Sequence, residues 1–298
     1  MPARAQIRFL PDGRRLHLQD GPIDLIVEAF GSPGRIQQAY QSAAARFVTV
    51  LDELCRELPR LRRPPSPDDW PDGVVARRMA NAVMPYSAKT FITPMAAVAG
   101  AVAEEILNSM ISAASLDKAY VNDGGDIAIH LDPTQHFVVG MAECPDRPSL
   151  LGTATITADL PVRGIATSGW RGRSFSLGIA DAVTALSHSA AMADAAATII
   201  ANAVDLPEHP GILRVRACDI APDNDLRERL VTQDVGELTK HEISVALDAG
   251  EEMTRSLLSS GLIHAAALHL QGQTRVVGST LQLTTPAADI AERGLVHA

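Results

Sequence analysis

The chain opens with alternating polar and apolar positions. Gln6-Ile7-Arg8-Phe9-Leu10 and Arg15-Leu16-His17-Leu18 both alternate, and Pro11-Asp12-Gly13 between them has turn chemistry. The pattern predicts a hairpin within residues 6–29, with 23–29 adding a third strand. Over 34–58 the period lengthens: Phe47, Val48, Leu51, Leu54 and Leu58 recur near helical spacing. Residues 59–74 are dense in Pro, Arg and Asp and read as a linker or exposed loop. Residues 77–85 fit no single period. A helix is predicted over 93–112, with Pro94 in its first turn and Glu104 and Glu105 interrupting an Ala/Val/Ile/Leu face.

The second half mixes both periods. Residues 118–131 read as strand, turn and strand around Asn122-Asp123-Gly124-Gly125-Asp126. Further strands are predicted at 135–143, 152–158 and 182–186, and a strand at 164–169 ends in small residues. An Ala-rich helix covers 190–204, and 262–278 reads as a hairpin turning at Gln271-Gly272-Gln273. Residues 205–237 show no clear pattern. Together these elements predict a mixed α/β protein in one domain over 1–298.

Composition narrows the class of partner. The formal charge of -9 opposes a long polyanion, which argues against nucleic acid. The densest basic stretch, Arg56, Arg60, Arg62 and Arg63, runs into Pro64 and Pro65 and reads as a helix end plus linker. Cys55, Cys144 and Cys218 are widely spaced, form no Cys-x-x-Cys pair, and fit a reducing compartment. With neither a leader-like start nor an 18-residue apolar run, the expected location is the cytoplasm, with no membrane span. The Ala-rich helices suit core packing and a homodimer face alike.

Three segments could carry chemistry. The Gly124-Gly125 pair lets backbone N–H groups approach an anion or nucleotide, and Asn122, Asp123 and Asp126 could meet ribose hydroxyls or a cation; a plain hairpin turn explains the segment too. Thr167-Ser168-Gly169, with Arg171 and Arg173 beyond, suits a phosphate or an ordinary surface turn. Asp194 and Thr198, four apart on a helix, put two hard oxygen donors on one face, as Mg²⁺ binding requires. The same pair also suits a helix whose macrodipole favours the Asp and whose backbone bonds the Thr. Lone Cys144 beside Pro145 could be a reactive thiol, and His264 and His269 are spaced to face opposite sides of a strand. Gly-x-Ser-x-Gly, P-loop, His-Glu-x-x-His and Gly-x-Gly-x-x-Gly patterns are absent.

Taken in order, Val121-Asn122-Asp123-Gly124-Gly125-Asp126-Ile127, Ala166-Thr167-Ser168-Gly169, Val183-Thr184 and Ala193-Asp194-Ala195-Ala196-Ala197-Thr198 resemble the motifs of the ApbE superfamily. Its named members are FAD:protein FMN transferases, and the likeness is nearest to a cytoplasmic branch. The resemblance covers roughly 80–204. It implies a T-fold-like α+β architecture, with antiparallel sheets and packed helices. It further implies Mg²⁺ on Asp194 and Thr198 beside the FAD pyrophosphate. Asn122, Gly124, Gly125, Asp126, Thr167, Ser168 and Gly169 would line the flavin or nucleotide site, and a protein hydroxyl or water would be the acceptor.

Two departures stand out. The family's Lys-Gly pair reads Ala99-Gly100 here, and its His-x-x-Asp-Pro-x-Thr-Gly loop is contracted to 170–182, where Asp181 could be its remnant. These changes keep two alternatives open: flavin or nucleotide binding without catalysis, and an accessory role in sulfur or cofactor metabolism with a changed ligand.

Overall fold

The N-terminal alternation folds as a meander. β1 (Gln6–Phe9), β2 (Leu16–Asp20) and β3 (Ile23–Phe30) pair antiparallel, with Leu16 opposite both Phe9 and Val27. The computed structural model describes residues 4–144, 147–278 and 296–297, by backbone alone at 141–144, 147–151 and 296–297. The chain divides into two compact units. The first comprises residues up to Phe137, Ile156–Ile165 and His188–Asp194; the second comprises Val138–Thr155, Ala166–Ser187 and residues from Ala195 on.

In the first unit, α1 (Pro33–Leu61) buries Ala39, Tyr40, Ala43, Phe47, Val50 and Leu54, a stripe at three- and four-residue spacing. Val48, expected on that stripe, is 43% exposed, because the stripe passes through Phe47 and Val50. α2 (Val74–Ser87) forms where the sequence was ambiguous. Pro85 sits in its last turn, and Val75, Ala76, Met79, Ala80 and Val83 mark a buried face. Thr93 caps a 3₁₀ turn at Pro94–Ala97, which leads into α3 (Val98–Ala113). α1 and α3 pack on the sheet and α2 packs on both helices. The 59–74 connection is well tied down. Glu57 accepts from the Asp72 and Gly73 N–H groups at 2.7 and 2.6 Å, and Arg60 pairs with Asp69 at 2.8 Å.

β3 continues onto β4 (Lys118–Asp123), and β4 turns into β5 (Asp126–Leu131), again antiparallel. Ile127 and Ala128 of β5 pair with Ile165 and Gly164. Then come β6 (His136–Cys144), β7 (Arg147–Thr157), β8 (Gly164–Ser168), β9 (Ala182–Ser187) and α4 (Ala190–Ala203).

In the second unit, β9 pairs antiparallel with β12 (Ala265–Leu270), and β12 with β13 (Gln273–Val277), the expected hairpin. The unassigned 205–237 stretch holds β10 (Ile212–Arg216), the short α5 (Ala217–Ile220) and β11 (Leu230–Val235). Its strands are short and separated by α5, so no run was long enough to show a period. α6 (Lys240–Ser259) was not read from the sequence. It is nevertheless announced by a capping box in which Thr239 and Glu242 bond each other's backbone N–H. The architecture is mixed α/β, with antiparallel sheets and packed helices as expected. Among the described residues, no helix is long and apolar enough to cross a membrane.

Candidate functional site

α4 starts hard against α3 and β8. A Cβ on Gly100 would stand 2.3 Å from the Ala190 carbonyl oxygen, and one on Gly164 would stand 2.0 Å from the Ser189 carbonyl carbon. Only residues without a side chain allow this approach. The first-turn amides, which no helical carbonyl can satisfy, find side chains instead. The Ala191 N–H donates to Glu104 Oε1 at 2.8 Å, and the Met192 N–H to Ser189 Oγ at 3.3 Å. Arg78 holds Glu104 in turn, its Nε 2.9 Å from Oε2.

One turn further, Asp194 points back at α3. Its Oδ2 accepts from the Gly100 N–H at 3.1 Å, and the Ala99 N–H also bonds the carboxylate. These donors favour the charged form. Burial opposes it more strongly, and the charge of Asp123 adds to the opposition, so the Asp194 pKa is raised to about 7. Asp123 is itself buried, at the end of β4. The structure thus links the expected metal ligand to the expected Gly-Gly turn through Asp123, one of the two aspartates of the turn segment offered above for ribose or a cation. Strand alternation explains its burial: two positions on from buried Val121, it points to the core.

The turn itself is a two-residue hairpin loop. Gly124 and Gly125 take φ of 64° and 114°, which residues with side chains rarely adopt. The Gly125 N–H donates to Asn122 Oδ1 at 2.8 Å, and Asp126 pairs across from Asp123. Asn122 therefore shapes the turn, while Gly124 is exposed at its tip.

The remaining candidates belong to the second unit. Thr167 and Ser168 end β8 half-buried, and Thr167 Oγ1 lies 2.9 Å from Thr184 Oγ1. Gly169 lies against the Asp181 backbone, with a Cβ there 2.3 Å from its carbonyl oxygen. Asp181, read as a remnant of a longer loop, anchors the segment that follows Gly169. Its carboxylate accepts from Trp170 Nε1 at 3.1 Å, Arg171 Nε at 2.8 Å and the Gln271 N–H at 2.6 Å. Arg171 also stacks on Trp170, 4.4 Å from the ring centre. Thr198 follows Asp194 by one turn on α4. The Cys144 side chain lies outside the described residues.

Among the described residues, no three His, Cys, Asp or Glu side chains gather as a metal-binding cluster. A metal here would depend on one protein carboxylate plus oxygens from a hydroxyl, water and ligand. That donor set suits Mg²⁺, which retains waters and commonly binds with substrate phosphates.

The family model described as AbpE bacteria matches residues 7–276. A UPF0280 protein of Methanopyrus kandleri is 37% identical over 160 residues, 53% of this chain and 61% of that protein. The chain thus spans about six-tenths of that relative's length. A UPF0280 protein of Methanosarcina acetivorans is 30% identical over 185 residues, 61% of this chain and 70% of that one. Among solved structures, the apo flavinyl transferase ApbE of Pseudomonas stutzeri is 11% identical with a TM-score of 0.41, covering 92% of this chain and 93% of that one. That likeness is too distant to carry an argument. The sequence matches are enough to conclude that the chain belongs to the bacterial AbpE family, the kinship that its ApbE-like motifs had led us to expect.

Proposed function

We propose that the chain binds FAD or a closely related dinucleotide with Mg²⁺ and cleaves its pyrophosphate. A hydroxyl oxygen would attack the phosphorus of the FMN half, and the bond to the AMP phosphate would break. A protein Ser or Thr acceptor would give an FMN ester and AMP; water would give FMN and AMP. The observation that supports this reading is the setting of Asp194, a shielded carboxylate facing the charge of Asp123, which a cation would relieve. Asp194 and Thr198 would hold Mg²⁺, whose charge would offset that of the pyrophosphate. Gly124 and Gly125 would let the backbone approach the ligand, with Asn122 holding the turn in shape and Asp126 beside it.

A second reading is binding without transfer. Ala99 stands where the family motif has lysine, and Asp181 locks the contracted loop in place. One assay separates the two. The purified chain is incubated with FAD, with and without Mg²⁺, and flavin fluorescence is followed together with FMN and AMP release. We expect Mg²⁺-dependent product that Asp194→Ala abolishes. Saturable binding without product supports the second reading, and neither binding nor product removes the flavin assignment.

A further inference from the structure

A groove of about 910 Å³ opens in the first unit between the β1–β3 meander and α1, at the opposite end of β4 from the Gly-Gly turn. Lys118 lines the groove and Asp123 ends the strand; five steps at ~3.4 Å separate them by roughly 17 Å. The volume is in the range of small-molecule sites, about 300–1,000 Å³. Phe9, Leu16, Phe30, Ile36 and Tyr40 make most of the lining apolar. Phe9 and Ile7 on the lip are 55% and 44% exposed, on an edge strand whose every residue is exposed. Tyr40 is fixed as a wall, its hydroxyl donating to the Arg14 carbonyl at 2.7 Å and accepting from the Ala29 N–H at 3.1 Å.

One charge in the lining is buried. Glu28 is 8% exposed, and its Oε2 accepts from the Tyr120 hydroxyl at 3.1 Å. Among the described residues, Oε1 accepts no hydrogen bond; Arg14 Nε is 3.8 Å away, at the end of a side chain 72% exposed. The other cation of the lining, Lys118, is occupied: Nζ donates to the His136 carbonyl at 3.1 Å and sits 4.9 and 4.8 Å from the Phe30 and Phe137 ring centres. A shielded carboxylate oxygen in an aromatic-walled groove is matched by an N–H cation on a flat apolar body.

We propose that this groove is a second ligand site, one that accepts a small aromatic or apolar amine, its ammonium on Glu28 Oε1 and its body against the Phe9 and Tyr40 rings, which pack edge to face with centres 5.8 Å apart. Arg14, loosely held and exposed, moves aside as the ammonium enters. The site is independent of the proposed dinucleotide site.

Isothermal titration of the full chain with tryptamine, indole-3-propionate and 3-ethylindole tests it. These probes share a ring system and differ in charge. We expect saturable tryptamine binding, at least ten-fold tighter than either analogue. Glu28→Gln should weaken tryptamine at least ten-fold, and Phe9→Ser, on the exposed lip, several-fold. Asp194→Ala should leave tryptamine binding unchanged. No binding of tryptamine, equal binding of the carboxylate analogue, or unchanged binding to both groove variants would overturn the proposal.

Discussion

Asp194 and Glu28 are both shielded acids of the first unit, yet they have different neighbours. Asp194 is held by two backbone N–H groups from α3 and feels the like charge of Asp123. Glu28 has a tyrosine hydroxyl on one oxygen and a loosely placed arginine near the other, at the floor of a wide groove. Crowding by backbone and a second acid suits a compact, hard cation with oxygen ligands. An open aromatic groove suits an organic cation. The ligand is selected by what surrounds the carboxylate more than by the carboxylate itself.

The largest effect should come from removing the first of these acids. Asp194→Ala is expected to lower Mg²⁺-dependent FAD turnover at least 100-fold in the product-release assay, whereas Glu28→Gln should leave that turnover within two-fold. Equal losses in both variants would erase the distinction between the two sites.

The packing beneath Asp194 offers the next test. Gly100→Ala places a methyl 2.3 Å from the Ala190 carbonyl oxygen, with backbone on both sides and no flexible side chain to yield. We expect destabilisation of about 2–4 kcal/mol in urea unfolding. A cost below about 1 kcal/mol would mean that α4 can shift away from α3, and that Asp194 is not held as described.

Much of this arrangement was legible beforehand. The meander, the Gly-Gly hairpin, α3, the β12–β13 hairpin and α4 all carry strong local signals, because one period governs each over its full length. The Gly-Gly turn could be named from its turn chemistry, and the Asp194 motif from its spacing to Thr198 and its resemblance to the family's. What the sequence withheld was of two kinds. Asp123, Glu104 and Gly100 matter through partners distant in the chain, and no local pattern encodes Gly100 against Ala190 or Glu104 on the Ala191 amide. Asp181 is of the second kind: the sequence offered it as the remnant of a binding loop and did not show the three donors, from Trp170, Arg171 and Gln271, that converge on it. The groove around Glu28 was invisible too, since its walls come from β1–β3, α1 and the start of β4.

Asp181 therefore gives a smaller, local prediction. Asp181→Ala takes the acceptor from Trp170, Arg171 and Gln271, and should cost about 1–3 kcal/mol. Limited trypsin digestion should then cut at Arg171 or Arg173 several times faster, while the tryptamine affinity of the first unit stays unchanged. An unchanged cleavage rate would mean that the loop is held by other contacts.

The subtlest difference lies in pH. In the folded chain without metal, Asp194 titrates near 7, against about 4 for an unshielded carboxylate. A raised acid pKa means that the folded state holds its proton more tightly than the unfolded state. Its contribution is therefore neutral below pH 4 and increasingly destabilising as pH rises from 4 to 7, beyond which it stays constant. Asp194→Asn should remove that loss and raise Tm at pH 8 by about 2–6 °C while leaving Tm at pH 4 nearly unchanged. A bound cation must displace the same proton, so Mg²⁺ affinity should rise about ten-fold per pH unit between 5 and 7 and level off above. Thermal shifts with and without Mg²⁺ at pH 5, 6, 7 and 8 measure both effects on the same protein. A Mg²⁺ response that is flat across this range, or that persists in Asp194→Asn, would move the metal away from Asp194 and leave its raised pKa as a property of packing alone.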